Sequence, residues 1–170
     1  MKLNNERVSK LAHKVVKPYT EAIQRKKKHW KRSFFPSAYF DLEIRSRGAV
    51  GESIASQILT DYGFIVAHSK ESDRVVNGFG IEIKFATESA LNGDFTFNQL
   101  RSRKCDEFVL CVGMGSHAPY LWLFRNNSQL RESVDYQHDG KKTWIFKIDP
   151  NNPQQWVKDL ELPLEVLRRH

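Results

Sequence analysis

Apolar side chains recur at three- and four-residue steps through residues 3–32, at Val8, Leu11, Val15, Tyr19, Ala22 and Ile23, which predicts a helix that Pro18 interrupts or restarts. Phe34-Phe35-Pro36 closes that segment, and a connector leads to Arg47-Gly48. Val50, Ile54, Ile58 and Leu59 then mark the apolar face of a second helix, from Ala49 to Tyr62, with Gly63 in the C′ position. Phe64 to His68 reads as a short strand. Val75-Val76 and Phe79 to Phe85 alternate as strands on either side of Asn77-Gly78. Thr96 opens a predicted helix over 96–104. Strands come next at 107–113, 120–125 and 143–148, and a short helix at 153–160. Helix, strand, hairpin, helix, strand predicts an α/β fold: a mixed central β-sheet flanked by helices, with an N-terminal helical extension. Residues 1–40 read as a helical arm and 41–170 as the globular core.

The hairpin carries the chemistry. Asn-Gly between apolar runs is the strongest short-range signal for a two-residue turn, because both central residues of a type I′ turn need positive φ. With Asn77 and Gly78 as the loop, Val76 faces Phe79, Val75 faces Gly80, Arg74 faces Ile81 and Asp73 faces Glu82. Directly opposed residues hold their Cβ atoms about 4.5–5.5 Å apart. Lys84, two positions on, points from the same face as Glu82. Two carboxylates placed directly opposite repel each other, and a shared cation relieves that cost. One divalent ion between Asp73 and Glu82, with an ammonium alongside, makes a candidate metal-dependent hydrolytic site.

Charge adds a second feature. The chain carries a net charge of +7, yet residues 1–33 hold 11 Lys and Arg against Glu6 and Glu21, so the remainder is slightly acidic. The basic density peaks at Arg25, Lys26, Lys27, Lys28, Lys31 and Arg32, around Trp30. Clustered cations beside an aromatic ring suit a polyanion, because phosphate contacts release condensed counterions. A solvated helix face or a nuclear-localisation signal has the same composition.

Other classes find little support. The longest apolar runs are strand-sized, which predicts no membrane span, and the N-terminus is too basic for a secretory signal. Cys105 and Cys111 lack zinc spacing and fit a reducing, cytoplasmic setting. His68, His117 and His138 have no metal-like spacing, and no serine elbow or phosphate-binding loop occurs. Trp122 and Trp144 sit on predicted core strands.

The chain resembles a PD-(D/E)XK nuclease, of the restriction-endonuclease-like superfamily. The residues that carry the resemblance are Gly48-Ala49-Val50-Gly51-Glu52, Ser72-Asp73, Glu82-Ile83-Lys84, and Gln99, Arg101 and Arg103 on the following predicted helix. It covers residues 47–113, and Ser72 stands where the motif has proline. The resemblance implies that Asp73, Glu82 and the Ile83 carbonyl bind Mg²⁺, that Lys84 orients water or stabilises the developing phosphorane charge, and that Glu52 touches the metal through water. It also places Gln99, with Arg101 or Arg103, against the DNA backbone. Plainer accounts exist for two of these. Glu52 reads as an acid in a helix's first turn, and Gln99 as the closing residue of a capping box from Thr96.

The resulting expectation is a Mg²⁺-dependent DNA endonuclease of restriction or homing type. A Holliday-junction resolvase uses the same core, and a non-catalytic nucleic-acid-binding protein could be built on it. Base readout would come from the arm or from loops 86–95 and 113–119. Cutting both strands at a palindromic site would take two centres, hence a homodimer.

Overall fold

The computed structural model describes residues 21, 24–31, 33, 35–137 and 142–168; the predicted helix before residue 21, its break at Pro18, Arg32 and His138 lie outside the described residues. Residues 24–30 are helical. Helix α1 (Ile44–Asp61) leads through β1 (Val66–Ala67) into the hairpin β2 (Arg74–Val76) and β3 (Phe79–Thr87). The chain continues through β4 (Phe95–Arg101), β5 (Phe108–Met114), β6 (Pro119–Arg125), α2 (Ser128–Glu132), β7 (Asp135–Gln137), β8 (Thr143–Ile148) and α3 (Gln155–Leu160). Five strands form one sheet in the order β1-β2-β3-β5-β6, and three form a second, β4-β8-β7. Within the first, β3 and β5 are parallel and the other pairs antiparallel, so the sheet is mixed as expected.

Two cores lie on the two faces of that sheet. On one, Ala55 and Leu59 of α1 meet Ile81, Ile83, Leu110 and Val112, together with Trp30, Phe35, Phe40 and Leu167. On the other, Val109, Cys111, Trp122 and Phe124 meet Phe95, Phe97, Leu100, Phe146 and Ile148 of the second sheet. Strand β5, covered on both sides, is buried along its whole length, and its unbroken apolar sequence follows from that. Helix α1 approaches β3 closely because it does so at Gly51, where an added Cβ would lie 2.5 Å from the Phe85 side chain.

The hairpin register is the predicted one: Val76 pairs with Phe79, Val75 with Gly80 and Arg74 with Ile81. Asn77 and Gly78 have φ of 48° and 91°, as the turn requires. The β2–β3 ladder ends at Arg74, one residue short of Asp73.

Two expectations are corrected. Residues 96–104 are not a helix; the chain runs as β4 to Arg101 and then as loop, and β4 belongs to the second sheet, so that face is covered by strands rather than by a helix. The capping box from Thr96 to Gln99 goes with it. The cause is a register shift between Phe97 and Leu100, where Asn98 and Gln99 together stand against Ile145 alone. That bulge separates two buried residues by three positions and so mimics helical spacing. Helix α1 also begins at Ile44 rather than Ala49. Its first turns carry exposed side chains, Ile44 at 84% among them, so apolar periodicity gives no sign of them.

Candidate functional site

Where β2 stops pairing, the side chain of Asp73 takes over. Its Oδ2 accepts a hydrogen bond from the Ile83 N–H at 2.9 Å, extending the edge of β3 past the end of its partner strand. The N–H and C=O of one strand residue point to the same edge, so the Ile83 carbonyl opens beside Asp73. The other Asp73 oxygen lies 3.5 Å from Arg103 Nη1, which also donates to the Glu71 carbonyl at 3.2 Å.

Glu82 is placed differently. Its side chain has no exposed surface, and its carboxylate sits 2.7 Å from Lys84 Nζ. Both carboxylate oxygens also accept from the Arg101 N–H, at 3.1 and 3.2 Å, tying β3 to the end of β4. Burial raises the Glu82 pKa, while the Lys84 charge and these hydrogen bonds pull it back. The expected pairing of Asp73 opposite Glu82 is not formed, because the ladder ends at Arg74 and Asp73 turns to the Ile83 N–H. Each acid instead has its own cation, Lys84 at Glu82 and Arg103 at Asp73.

A cleft of about 510 Å³ gathers the rest. Glu52, Asp73, Ile83, Lys84, Gln99 and Arg101 all line it, with Glu82 beneath the floor. Glu52 lies more than two turns into α1, so a helix-start role does not explain it. Its pKa is raised by burial and by the negative charge of Asp73, against the pull of Arg74, Lys84 and Arg101. Arg74 Nη1 lies 3.4 Å from the Glu52 carboxylate and its Nε donates to Ser56 at 2.9 Å, holding the helix acid in place. Gln99 reaches the cleft through the bulge, at a φ of 56° that re-aims the chain.

The basic residues divide. Lys26 lines the cleft, its Nζ 4.6 Å from the centre of the Phe40 ring, and burial and then the charge of Arg47 lower its pKa. Arg25 and Lys28 lie on the same helical segment and border a neighbouring groove. Lys27 pairs with Asp41 at 2.5 Å, and exposed Lys31 lies away from the cleft. Arg101 lines the cleft, and Arg103 acts beside it through Asp73.

Sequence reasoning missed Arg47, Asn98 and Asp106. Arg47 lines the cleft while its guanidinium donates to the Phe40 and Leu42 carbonyls, at 2.7 and 2.9 Å. Asn98 enters with the bulge and could have been found only by reading β4 as a strand. Asp106 is 2% exposed and lies 3.9 Å from Arg103, and burial raises its pKa. An acid preceding an apolar strand gives no sequence signal of that position.

The donors available to a cation are hard oxygens: the carboxylates of Glu52 and Asp73 and the Ile83 carbonyl. Among the described residues, no group of three or more His, Cys, Asp or Glu side chains is placed to hold a metal. A dedicated all-protein cage is therefore not what the residues offer. One or two carboxylates, with water and phosphate completing the shell, is the arrangement Mg²⁺ favours. The donor chemistry fits that ion.

No family model and no curated protein matches the chain. Among solved structures it is similar to a bacterial homing endonuclease, I-Ssp6803I, at 11% identity and a TM-score of 0.45, over 70% of this chain and 87% of that one. A likeness at that level bears on neither activity nor ligand. No helix among the described residues is long and apolar enough to cross a membrane.

Proposed function

We propose that the protein is a Mg²⁺-dependent endonuclease that hydrolyses phosphodiester bonds in double-stranded DNA, of the site-specific restriction or homing type. The observation that carries this reading is the convergence of Glu52, Asp73, Ile83, Lys84 and Gln99 on one cleft whose wall also holds Lys26, Arg47 and Arg101. Acids and cations interleaved in a single depression suit a phosphate diester: the cations receive the anion, and the acids hold what activates it.

In this reading Asp73, Glu52 and the Ile83 carbonyl would hold the metal, while Glu82, expected as a further ligand, anchors Lys84 beside it. Bound Mg²⁺ supplies Lewis-acid polarisation of the phosphate and lowers the pKa of a coordinated water. Lys84, anchored by Glu82, presents its ammonium toward the non-bridging oxygens, where charge grows in the transition state. Arg101 and Lys26 fix the flanking phosphates, and Gln99 positions the scissile one. Cutting both strands takes two such clefts, which in a homodimer a two-fold axis supplies.

Supercoiled plasmid incubated with the protein and Mg²⁺ tests the reading, beside Asp73→Asn and Lys84→Met variants checked for folding by circular dichroism. Nicked and linear products from the wild type, absent with both variants and with EDTA, are expected. A folded wild type that yields no cut ends, read by sequencing, from a plasmid library carrying random-sequence inserts in both Mg²⁺ and Mn²⁺ overturns the enzyme reading. Salt-sensitive DNA binding without cutting would then identify a binding protein on this fold.

A further inference from the structure

Beside the cleft lies a larger groove, of about 830 Å³, between the helical segment 24–30 and the loop that joins β3 to β4. Lys26, Ala86 and Thr87 line both, so the two depressions are continuous. The helix contributes Arg25, Lys26 and Lys28 to one wall, and the loop contributes Leu91 to the other. Leu91 is 91% exposed.

A single exposed leucine is ordinary on a protein surface. This one is held out by a fixed loop. The Ser89 N–H donates to the Asp94 carbonyl at 2.9 Å, the Gly93 N–H to the Ser89 carbonyl at 3.0 Å, and the Leu91 N–H to Ser89 Oγ at 3.3 Å. Asn92 donates to the Asp94 carboxylate at 2.7 Å. At the loop's base the Glu88 carboxylate accepts from the Ser116 N–H, which ties the loop to the turn after β5, and it lies 3.9 Å from His29 Nε2 across the groove. The polar side chains of the tip are engaged with the loop itself, and its apolar side chain faces out.

We infer that this loop is a DNA-distorting element, with Leu91 an apolar wedge that enters a groove of the duplex and unstacks a base step near the scissile phosphate. The inference rests on the nuclease reading of the adjacent cleft and goes further, by naming how the bound DNA is deformed. Charge selects the partner: Arg25, Lys26 and Lys28 on the facing wall outnumber Glu88 and Asp94 on the loop and suit the phosphate backbone, and a duplex held against them brings its groove to the loop. Proteins that insert leucine or similar side chains between base pairs recover the unstacking cost through the contacts that the bent duplex gains. Strand β3 carries Lys84 and runs directly into this loop, so the wedge and the reacting phosphate are set by one strand.

Permanganate footprinting of supercoiled plasmid, with Ca²⁺ in place of Mg²⁺, reads unstacked thymines over the whole molecule and is combined with binding titration. Wild type and Leu91→Phe are expected to produce hypersensitive thymines. Leu91→Ala, whose melting temperature should match that of the wild type because the side chain is exposed, is expected to lose them and to bind about tenfold more weakly. Hypersensitivity that persists in Leu91→Ala overturns the wedge, as does wild-type binding without hypersensitivity. Both results leave plasmid cleavage, and with it the nuclease reading, standing. Failure of the wild type to bind duplex DNA at all overturns both.

Discussion

Lys84 Nζ lies 2.7 Å from Glu82 Oε1, in a setting where the lysine side chain is 13% exposed and the glutamate not at all. The Glu82 charge has no water to fall back on and depends on Lys84 and the Arg101 N–H.

Removing one partner of a buried pair costs about 3–5 kcal/mol, because the charge left behind stays desolvated. Lys84→Ala is therefore expected to lose about that much stability at pH 7 in EDTA, read from urea denaturation. Glu82→Gln/Lys84→Met, which removes both charges, should recover most of it. The Lys84 charge lowers the Glu82 pKa, so its loss lets burial raise that pKa further. An acid with a raised folded pKa binds more protons folded than unfolded, and stability then rises as pH falls. The deficit of Lys84→Ala should shrink on acidification. A deficit independent of pH would mean that Glu82 is not the charge left unpaired.

Glu52 offers a milder test. Burial and the Asp73 charge raise its pKa, so its ionisation disfavours the folded state as pH climbs through the folded pKa. Glu52→Gln in metal-free buffer should melt progressively higher than wild type as pH rises from the ordinary glutamate pKa toward neutrality, the difference vanishing at the acid end. Saturating Mg²⁺ should stabilise wild type by mass action and the variant less. Equal stabilisation of both would remove Glu52 from the metal's surroundings.

Asn77 does more than turn the chain. Its Oδ1 accepts from the Ile65 N–H at 2.8 Å and its Nδ2 donates to the Leu167 carbonyl at 3.1 Å. Asn77→Gly keeps the positive φ and loses both bonds, for about 2 kcal/mol at about 1 kcal/mol each. Asn77→Ala adds the strain of a left-handed alanine and should lose about 3 kcal/mol. Equal loss in the two variants would show that φ contributes nothing there.

At Gly80 the neighbour is backbone. A Cβ would fall 1.8 Å from the Cys105 carbonyl oxygen and 2.8 Å from Ser72 Oγ. Gly80→Ala must therefore push away the loop that holds Arg103 and Asp106. Its cost should exceed the roughly 1–3 kcal/mol of ordinary overpacking. A melting temperature indistinguishable from that of wild type would contradict this close approach.

The hairpin was legible in the sequence to the residue, because Asn-Gly fixes the turn and period-two alternation fixes the faces. From Val76–Phe79 to Arg74–Ile81 the pairing is as counted. That β2 stops there was not legible, since strand ends depend on what the backbone meets in space. Residues 96–104 misled because a bulge and a helix both separate buried residues by three. Their functional members nonetheless reach the cleft: Gln99 and Arg101 arrive on a strand rather than on a helix. Glu52 could be named but not explained, because the exposed early turns of α1 hide where that helix begins. The protein cations at Asp73 and Glu82 were out of reach for a different reason. Lys84 could be placed on the correct face, but that it closes on Glu82 follows from burial by β4, an element whose identity was misread.

The bond between Asn77 and Leu167 spans 90 residues of chain. Leu167 is itself fully buried, in the core that contains Val76 and Ile81. During synthesis the hairpin can form its turn early, but the clip that seats it waits for residue 167 to leave the ribosome. Every strand of both sheets precedes that residue in the chain. A nascent chain stopped short of Leu167 therefore carries the hairpin and its acids without the bond that joins Asn77 to the C-terminal segment.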